Sequence, residues 1–352
     1  MRRMRLHSVL LLALMGLVMQ GLGELPAAES QQTSLSREEA EELGIDRPPQ
    51  RPAIAPAPAR APVPRKDGEP LPDFLLIPES TNDRVMSFNP TTGDLLNANF
   101  IPADPAHLAV PVHAILSPSK DTILVSDQFN DVVQEYAMNG TYIGVFAPAG
   151  GVNLAILNNI RGMALRANGN LLVTVGEGAN VDTVAEFDTA GNYLGTFVAA
   201  ASGGLDSPFD VFLTTDALVS GTSSDAIHRY NATTGAYIAD LTTIHSFPEQ
   251  LALAATNGNL LVANYSGTQV GVMEITTGGT LVGIYNPAAL GGEYRGVYEL
   301  PNGNILTTNS DGVHEIDRSG NLVETKISGV SARYIELIEE ATPVELLSFT
   351  IE

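Results

Sequence analysis

The sequence predicts an all-β fold, a ring of repeated four-stranded blades, and three observations carry the prediction. A Gly-centred hairpin recurs six times: Phe88-Asn-Pro-Thr-Thr-Gly93, Tyr136-Ala-Met-Asn-Gly140, Phe187-Asp-Thr-Ala-Gly191, Tyr230-Asn-Ala-Thr-Thr-Gly235, Ile275-Thr-Thr-Gly-Gly279 and Ile316-Asp-Arg-Ser-Gly320. Successive glycines stand 41 to 51 residues apart, the period of propeller blades or a solenoid. Between them lie short runs of Val, Leu, Ile, Tyr and Phe bounded by Asn, Gly and Asp, which is strand-and-turn chemistry and too short for helices. The third observation is a leftover strand phrase near the C-terminus, which turns an array into a closed ring.

The first 72 residues stand apart from the repeats. Arg2, Arg3 and Arg5 precede an apolar run from Val9 to Met19 and small residues up to Ala28, the order of a secretory signal. A cleaved signal over 1–28 and export follow as expectations, to a secreted or periplasmic location or the cell surface, with no membrane attachment after cleavage. Residues 29–72 are rich in Pro and Ala after a short charged stretch, Ser34 to Leu43. Such a composition predicts an extended, disordered linker.

The propeller is expected over 73–340. The third repeat shows its four strands best: Gly162–Leu165, Leu171–Val175, Thr183–Phe187 and Tyr193–Phe197. Turns between first and second strands read Asn168-Gly-Asn170, Asn257-Gly-Asn259 and Asn302-Gly-Asn304, and Asn-Gly supplies the positive backbone angles of a tight hairpin. Second strands are apolar on nearly every residue, as expected of strands covered on both faces.

The first repeat opens at Asp73-Phe-Leu-Leu-Ile77 and lacks an inner strand, while Arg333-Tyr-Ile-Glu-Leu337 resembles Gly296-Val-Tyr-Glu-Leu300, the inner strand of the sixth repeat. Closing the ring with that strand removes both free sheet edges. A six-bladed β-propeller follows, with seven blades or an incomplete ring as the alternative. Residues 341–352 form a strand-like tail.

Composition narrows function by exclusion. A formal charge of −22 argues against nucleic acid, whose affinity rests on Lys and Arg displacing counterions. The absence of cysteine excludes disulfides, thiolate metal sites and cysteine nucleophiles. The histidines show no HxH or HExxH spacing, and no Gly-x-Ser-x-Gly elbow or phosphate-binding glycine loop occurs, so the sequence offers no catalytic constellation.

Asp121-Thr-Ile-Leu-Val-Ser-Asp127-Gln-Phe-Asn130-Asp-Val-Val-Gln-Glu-Tyr136 resembles the NHL repeats and the wider six-bladed group of SMP-30/gluconolactonase-like and TolB-like propellers, over roughly residues 73 to 340. The resemblance implies strands ordered from axis to rim, with inner-strand starts and second-to-third-strand loops sharing one channel mouth. Arg161, Arg295 and Arg333 fall there, in a chain poor in cations. Guanidinium groups would hold a carboxylate or other anion through forked hydrogen bonds. Alternatively they pair with Glu79, Asp127 and Glu177 and lock blades together.

The expected ligand-binding set is therefore Arg161, Arg295, Arg333, Glu177, Asp127 and Tyr265, in a non-enzymatic, monomeric binding module for a small anionic ligand or a protein. The lactonase-like members bind a divalent metal in the channel, and by that resemblance Glu79, Asn130, Asp210 and Asn264 are candidate ligands for a cation such as calcium. Streptogramin-lyase-like propellers use a histidine, which would point to His113. A metal-dependent lactonase-type hydrolase and a structural or adhesive repeat domain are the competing functions.

Overall fold

Residues 73–339 are described by the structure, a computed structural model. The predicted signal, the linker and residues 340–352 lie outside the described residues. Six separate antiparallel sheets of four strands each make up the fold. Blade three, Ile160–Leu165, Leu171–Val175, Thr183–Phe187 and Tyr193–Val198, matches the sequence expectation to within two residues. In this blade the first two strands are mostly buried and the outermost is half exposed. The inner strands of neighbouring blades abut, and apolar clusters such as Leu172, Val184, Val211, Val219 and Tyr230 fill the space between blades. The core is thus distributed around the ring and not gathered in one centre.

The first blade borrows its inner strand from the C-terminal end, as expected: Glu336–Ile338 pairs antiparallel with Phe74–Glu79. Its register differs from the sequence reading by one residue. Leu337 faces Leu75, and Glu299 faces Ile305 at the matching place in blade six. Leu337 is therefore equivalent to Glu299, and the two Glu-Leu phrases that suggested the alignment are not equivalent. One residue of slip exchanges the faces of a strand; the expected strand Arg333–Leu337 is shortened because Arg333 to Ile335 form a bulge between the strand and a lone bridge from Glu79 to Ala332.

The repeating glycine has two causes. Gly140, Gly191, Gly235 and Gly279 all hold φ between 69° and 86°, a region that costs other residues strain. A Cβ at each would also run into a carbonyl oxygen on the outer strand of the preceding blade, Phe100, Phe146, Phe197 and Leu241 respectively. In the Asn-Gly-Asn turns only the glycine takes positive φ. The first Asn acts through its side chain, with Asn168 Oδ1 accepting the Asn170 N–H at 3.0 Å. The second reaches a third-strand carboxylate: Asn170 to Glu186, Asn259 to Glu274 and Asn304 to Glu315, all at 2.6 to 2.7 Å.

Blades are stapled to one another by side chains that accept or donate to backbone. Asp83, Asp131 and Asp182, each at positive φ before a third strand, accept the N–H of Val110, Asn159 and Ser207 in the next inter-blade loop. Thr174, Ser220 and Thr308 donate to the carbonyls of Phe209, Glu249 and Arg333, one blade on. Buried backbone groups must find partners, and here the neighbouring blade supplies them.

Candidate functional site

Inner strands start, and second strands end, at the same end of the ring, as the pairs Pro111 with Asp127, Pro208 with Gly221 and Pro248 with Asn264 show. Most inner strands are bulged there. The bulge turns two consecutive residues toward the channel end, as bulges near sites commonly do. In successive blades the first of these positions holds Val112, Arg161, Phe209, Glu249, Arg295 or Arg333 and the second His113, Gly162, Asp210, Gln250, Gly296 or Tyr334; Asp210 and Gly296 themselves pair in the ladder, with Ser220 and Thr308.

The second set knits the ring. His113 Nδ1 accepts the Met163 N–H at 3.1 Å, Asp210 Oδ2 accepts that of Leu251 at 2.9 Å, and Gln250 Oε1 accepts those of Val297 and Ile335 at 2.9 Å. Gly162 and Gly296 have no side chain because Asp210 and the Arg333 carbonyl occupy that space.

The first set carries the charge. Arg161, Arg295 and Arg333 are 2, 3 and 8% exposed, which is unusual for arginine without an acidic partner. Among the described residues no carboxylate lies within 4 Å of any of them. Their acceptors are neutral: Arg161 donates to Ser207 Oγ at 2.9 Å and the Pro208 carbonyl at 3.0 Å, Arg295 to Ser331 Oγ, and Arg333 to Ser80 Oγ at 3.0 and 3.2 Å. The Nε atoms of Arg161 and Arg295 are buried with no hydrogen-bond partner among the described residues.

An aromatic arc joins two of these groups. Arg161 lies 3.8 Å over the Phe209 ring, Phe209 meets Phe247 at 5.0 Å, Phe247 meets Tyr265 at 5.1 Å, and Arg295 stands 5.4 Å over Tyr265. Cation–π attraction of this kind orients a guanidinium without neutralising it. Burial lowers the pKa of Arg161 to about 10 and of Arg333 to about 9, the latter also pressed down by Arg295.

Glu249 acts on all three arginines, and Glu177 and Asp182 act on Arg161 as well. Glu249 is buried, and burial raises its pKa to about 7 against the opposing fields of Arg295, Arg333 and Arg161. Tyr334 is buried with its hydroxyl unpartnered, and its pKa is driven well up by burial and by Asp210 and Glu249. Asp210 is likewise raised, to about 6, by burial.

The remaining sequence-predicted residues serve their own turns. Glu79 accepts from the Thr81 and Asn82 amides and from Arg84, and Asp127 from the Ala109 and Asn130 amides and the Asn130 side chain. Burial raises Asp127 to about 7. Asn264 donates to the Ser266 and Gln269 carbonyls, and exposed Glu177 accepts from Asn159 at 2.9 Å. The expected pairing of the three arginines with Glu79, Asp127 and Glu177 is therefore not formed. Asn130 is bound to Asp127, and among the described residues no three His, Asp or Glu side chains gather as a metal site.

Arginine clamps exist at the opposite end, where the sequence reading did not look. Arg318 bridges Glu274 of blade five at 3.0 Å and Glu299 of its own blade, and Arg166 pairs with Glu186. The serines that hold the mouth arginines were also missed, since they lie in loops of no repeated pattern. Of the histidines, His113 is satisfied by Met163 and by Glu336 at 3.3 Å, and His228 stands between Ser224 and Asp240.

No family model matches the chain, and no curated protein matches it in sequence. Solved structures do match in fold. A structure from a nidogen/laminin complex superposes with a TM-score of 0.60 at 13% identity, covering 76% of this chain and 99% of that one. A protein of unknown function from Bacteroides caccae gives 0.53 at 15%, covering 77% and 100%. A protein described by family as a gluconolactonase gives 0.51 at 17%, covering 71% and 83%. At such identities the likeness is one of fold, and one fold hosts many functions. The chain is a six-bladed β-propeller, closed by its C-terminal strand, with a buried cluster of arginines at one end of its channel.

Proposed function

We propose that the protein is an exported binding module that takes a small organic anion, a carboxylate with an apolar or aromatic body, at the channel end bearing Arg161, Arg295 and Arg333. The observation that carries this reading is three buried guanidinium groups with serine and carbonyl acceptors and, among the described residues, no carboxylate within hydrogen-bonding reach. Burying a charge is costly unless it is paired, and a ligand carboxylate supplies the missing pair through charge-assisted hydrogen bonds. The Phe209, Phe247 and Tyr265 rings favour a ligand with a flat apolar part. Export is supported by the signal-like order of residues 1–28.

Calorimetric titration of the full chain with benzoate and acetate tests it. Benzoate is expected to bind more tightly than acetate, and Arg295→Met to weaken benzoate by about tenfold or more, the worth of a charged hydrogen bond, with the melting temperature retained. A large loss of melting temperature with unchanged binding would make the arginines structural. Stoichiometric calcium or zinc binding with lactone turnover would favour the metal-dependent hydrolase instead.

A further inference from the structure

Blade four holds a second constellation, independent of the anion reading. Ser224 lies in the turn between the second strand, Asp216–Gly221, and the third, Ala226–Asn231, and Asp240 lies on the outer strand, Tyr237–Thr243. Ser224 Oγ stands 2.8 Å from His228 Nε2, and His228 Nδ1 stands 2.7 Å from Asp240 Oδ1. These are the contacts of a hydroxyl nucleophile, a general base and the acid that orients the base. With Nδ1–H donated to Asp240, Nε2 is left to accept the Ser224 hydroxyl proton.

Other features suit that role. Tyr237 donates its hydroxyl to the same Asp240 oxygen at 3.0 Å, which fixes the carboxylate. A Cβ at Gly221 would collide with Ser224 Oγ, so the serine can approach the ring only over a glycine. His228 is buried, and burial lowers its pKa, which keeps it neutral and basic near pH 7. The Ser224 turn is partly exposed and Ser223 is exposed, so a substrate can reach the hydroxyl. Among the described residues the Ser224 and Asp225 amides donate no hydrogen bond, which leaves donors for a developing oxyanion.

Blade six provides an internal contrast. His314 occupies the matching third-strand position, but its Nε2 donates to the Asn309 amide oxygen and its Nδ1 accepts from Thr325, both at 3.0 Å. That arrangement satisfies a buried histidine with the opposite tautomer and neither a nucleophile nor an acid. Packing alone therefore does not require Ser and Asp around the ring.

We propose that Ser224, His228 and Asp240 form a serine-hydrolase site for small carboxylic esters. Ser224 Oγ attacks the ester carbonyl carbon while its proton passes to His228 Nε2. The tetrahedral adduct expels the alcohol, which takes that proton, and leaves an acyl-serine. Water then attacks the acyl carbon, giving a proton to His228 that returns to Ser224 as the carboxylic acid departs. The substrate is uncharged or cationic, because Asp206, Asp225 and Asp240 flank the turn and repel anions.

The test treats the full-length protein with a fluorophosphonate, whose phosphorus is attacked by an activated serine with loss of fluoride, and maps the adduct by peptide mass spectrometry. Release of p-nitrophenolate from p-nitrophenyl acetate is followed alongside. The adduct is expected on Ser224, with ester turnover abolished in Ser224→Ala and lowered at least about tenfold in Asp240→Asn, both at unchanged melting temperature. His314→Asn is expected to leave labelling intact. No adduct on Ser224 of the wild-type chain, or turnover that survives Ser224→Ala, would overturn the proposal without touching the anion site.

Discussion

Glu249 ties the protonation of one residue to both stability and ligand affinity. Folded, it keeps its proton up to about pH 7; unfolded, it loses it near the ordinary glutamate value of 4.5. The folded state therefore binds more protons between these values, and the contribution of Glu249 to stability is full below about 4.5 and lost as pH rises through 7. Glu249→Gln, which cannot ionise, should lose less stability than the wild type between pH 5 and 8, as read by urea midpoints at each pH. A constant difference across that range would contradict this. The groups facing Glu249 are Arg295, Arg333, Arg161 and Asp210, and a neutral Glu249 removes the counter-ion the three arginines share, leaving Glu177 and Asp182 acting on Arg161. Benzoate should accordingly bind more tightly at pH 6 than at pH 8 in the wild type, and the gain should shrink in Glu249→Gln. The positions of these residues were legible from the sequence because arginine is scarce and the repeats align. Their partners were not, because Ser80, Ser207 and Ser331 sit in loops whose lengths differ between blades.

The hairpin is the element on which the ring depends, and its glycines are not equal. At Gly235 both the positive φ and the Phe197 carbonyl oppose a side chain, whereas at Gly320 the nearest atom to a new Cβ is 3.8 Å away. Gly320→Ala should cost about 1 kcal/mol, the ordinary charge for a left-handed alanine, and Gly235→Ala about 2 to 4 kcal/mol, since the neighbouring blade must also move. Equal losses in urea unfolding would show that the blades yield freely. Strand positions were legible because short apolar runs alternate with turns of fixed chemistry. The tightness of blade contact was not, because it arises from residues some 40 positions apart. The one-residue slip in the closing strand has the same origin: local likeness of two Glu-Leu phrases outweighed, on paper, the pairing that the completed sheet imposes.

At the scale of the whole molecule, closure is what brings distant residues to one place. Arg161 belongs to blade three, Arg295 to blade six and Arg333 to the chain that completes blade one, and only a ring puts Arg295 within the field of Arg333 and all three within that of Glu249. Gln250 spans the same seam, holding Val297 and both backbone groups of Ile335. The His228 site was hidden too, since its acid and hydroxyl become neighbours only when the third and outer strands of the blade pair and set His228 opposite Asp240. Arginine Nε–H groups give separate signals in a nitrogen–proton correlation spectrum, and those of Arg161 and Arg295 have no acceptor among the described residues. On titration with benzoate these two signals should shift and saturate together with a single affinity, while those of Arg166, Arg229 and Arg318, already ion-paired at the other end, stay in place. Unmoved Arg161 and Arg295 signals at saturating benzoate, or shifts shared equally by all five arginines, would contradict an anion site at the channel mouth.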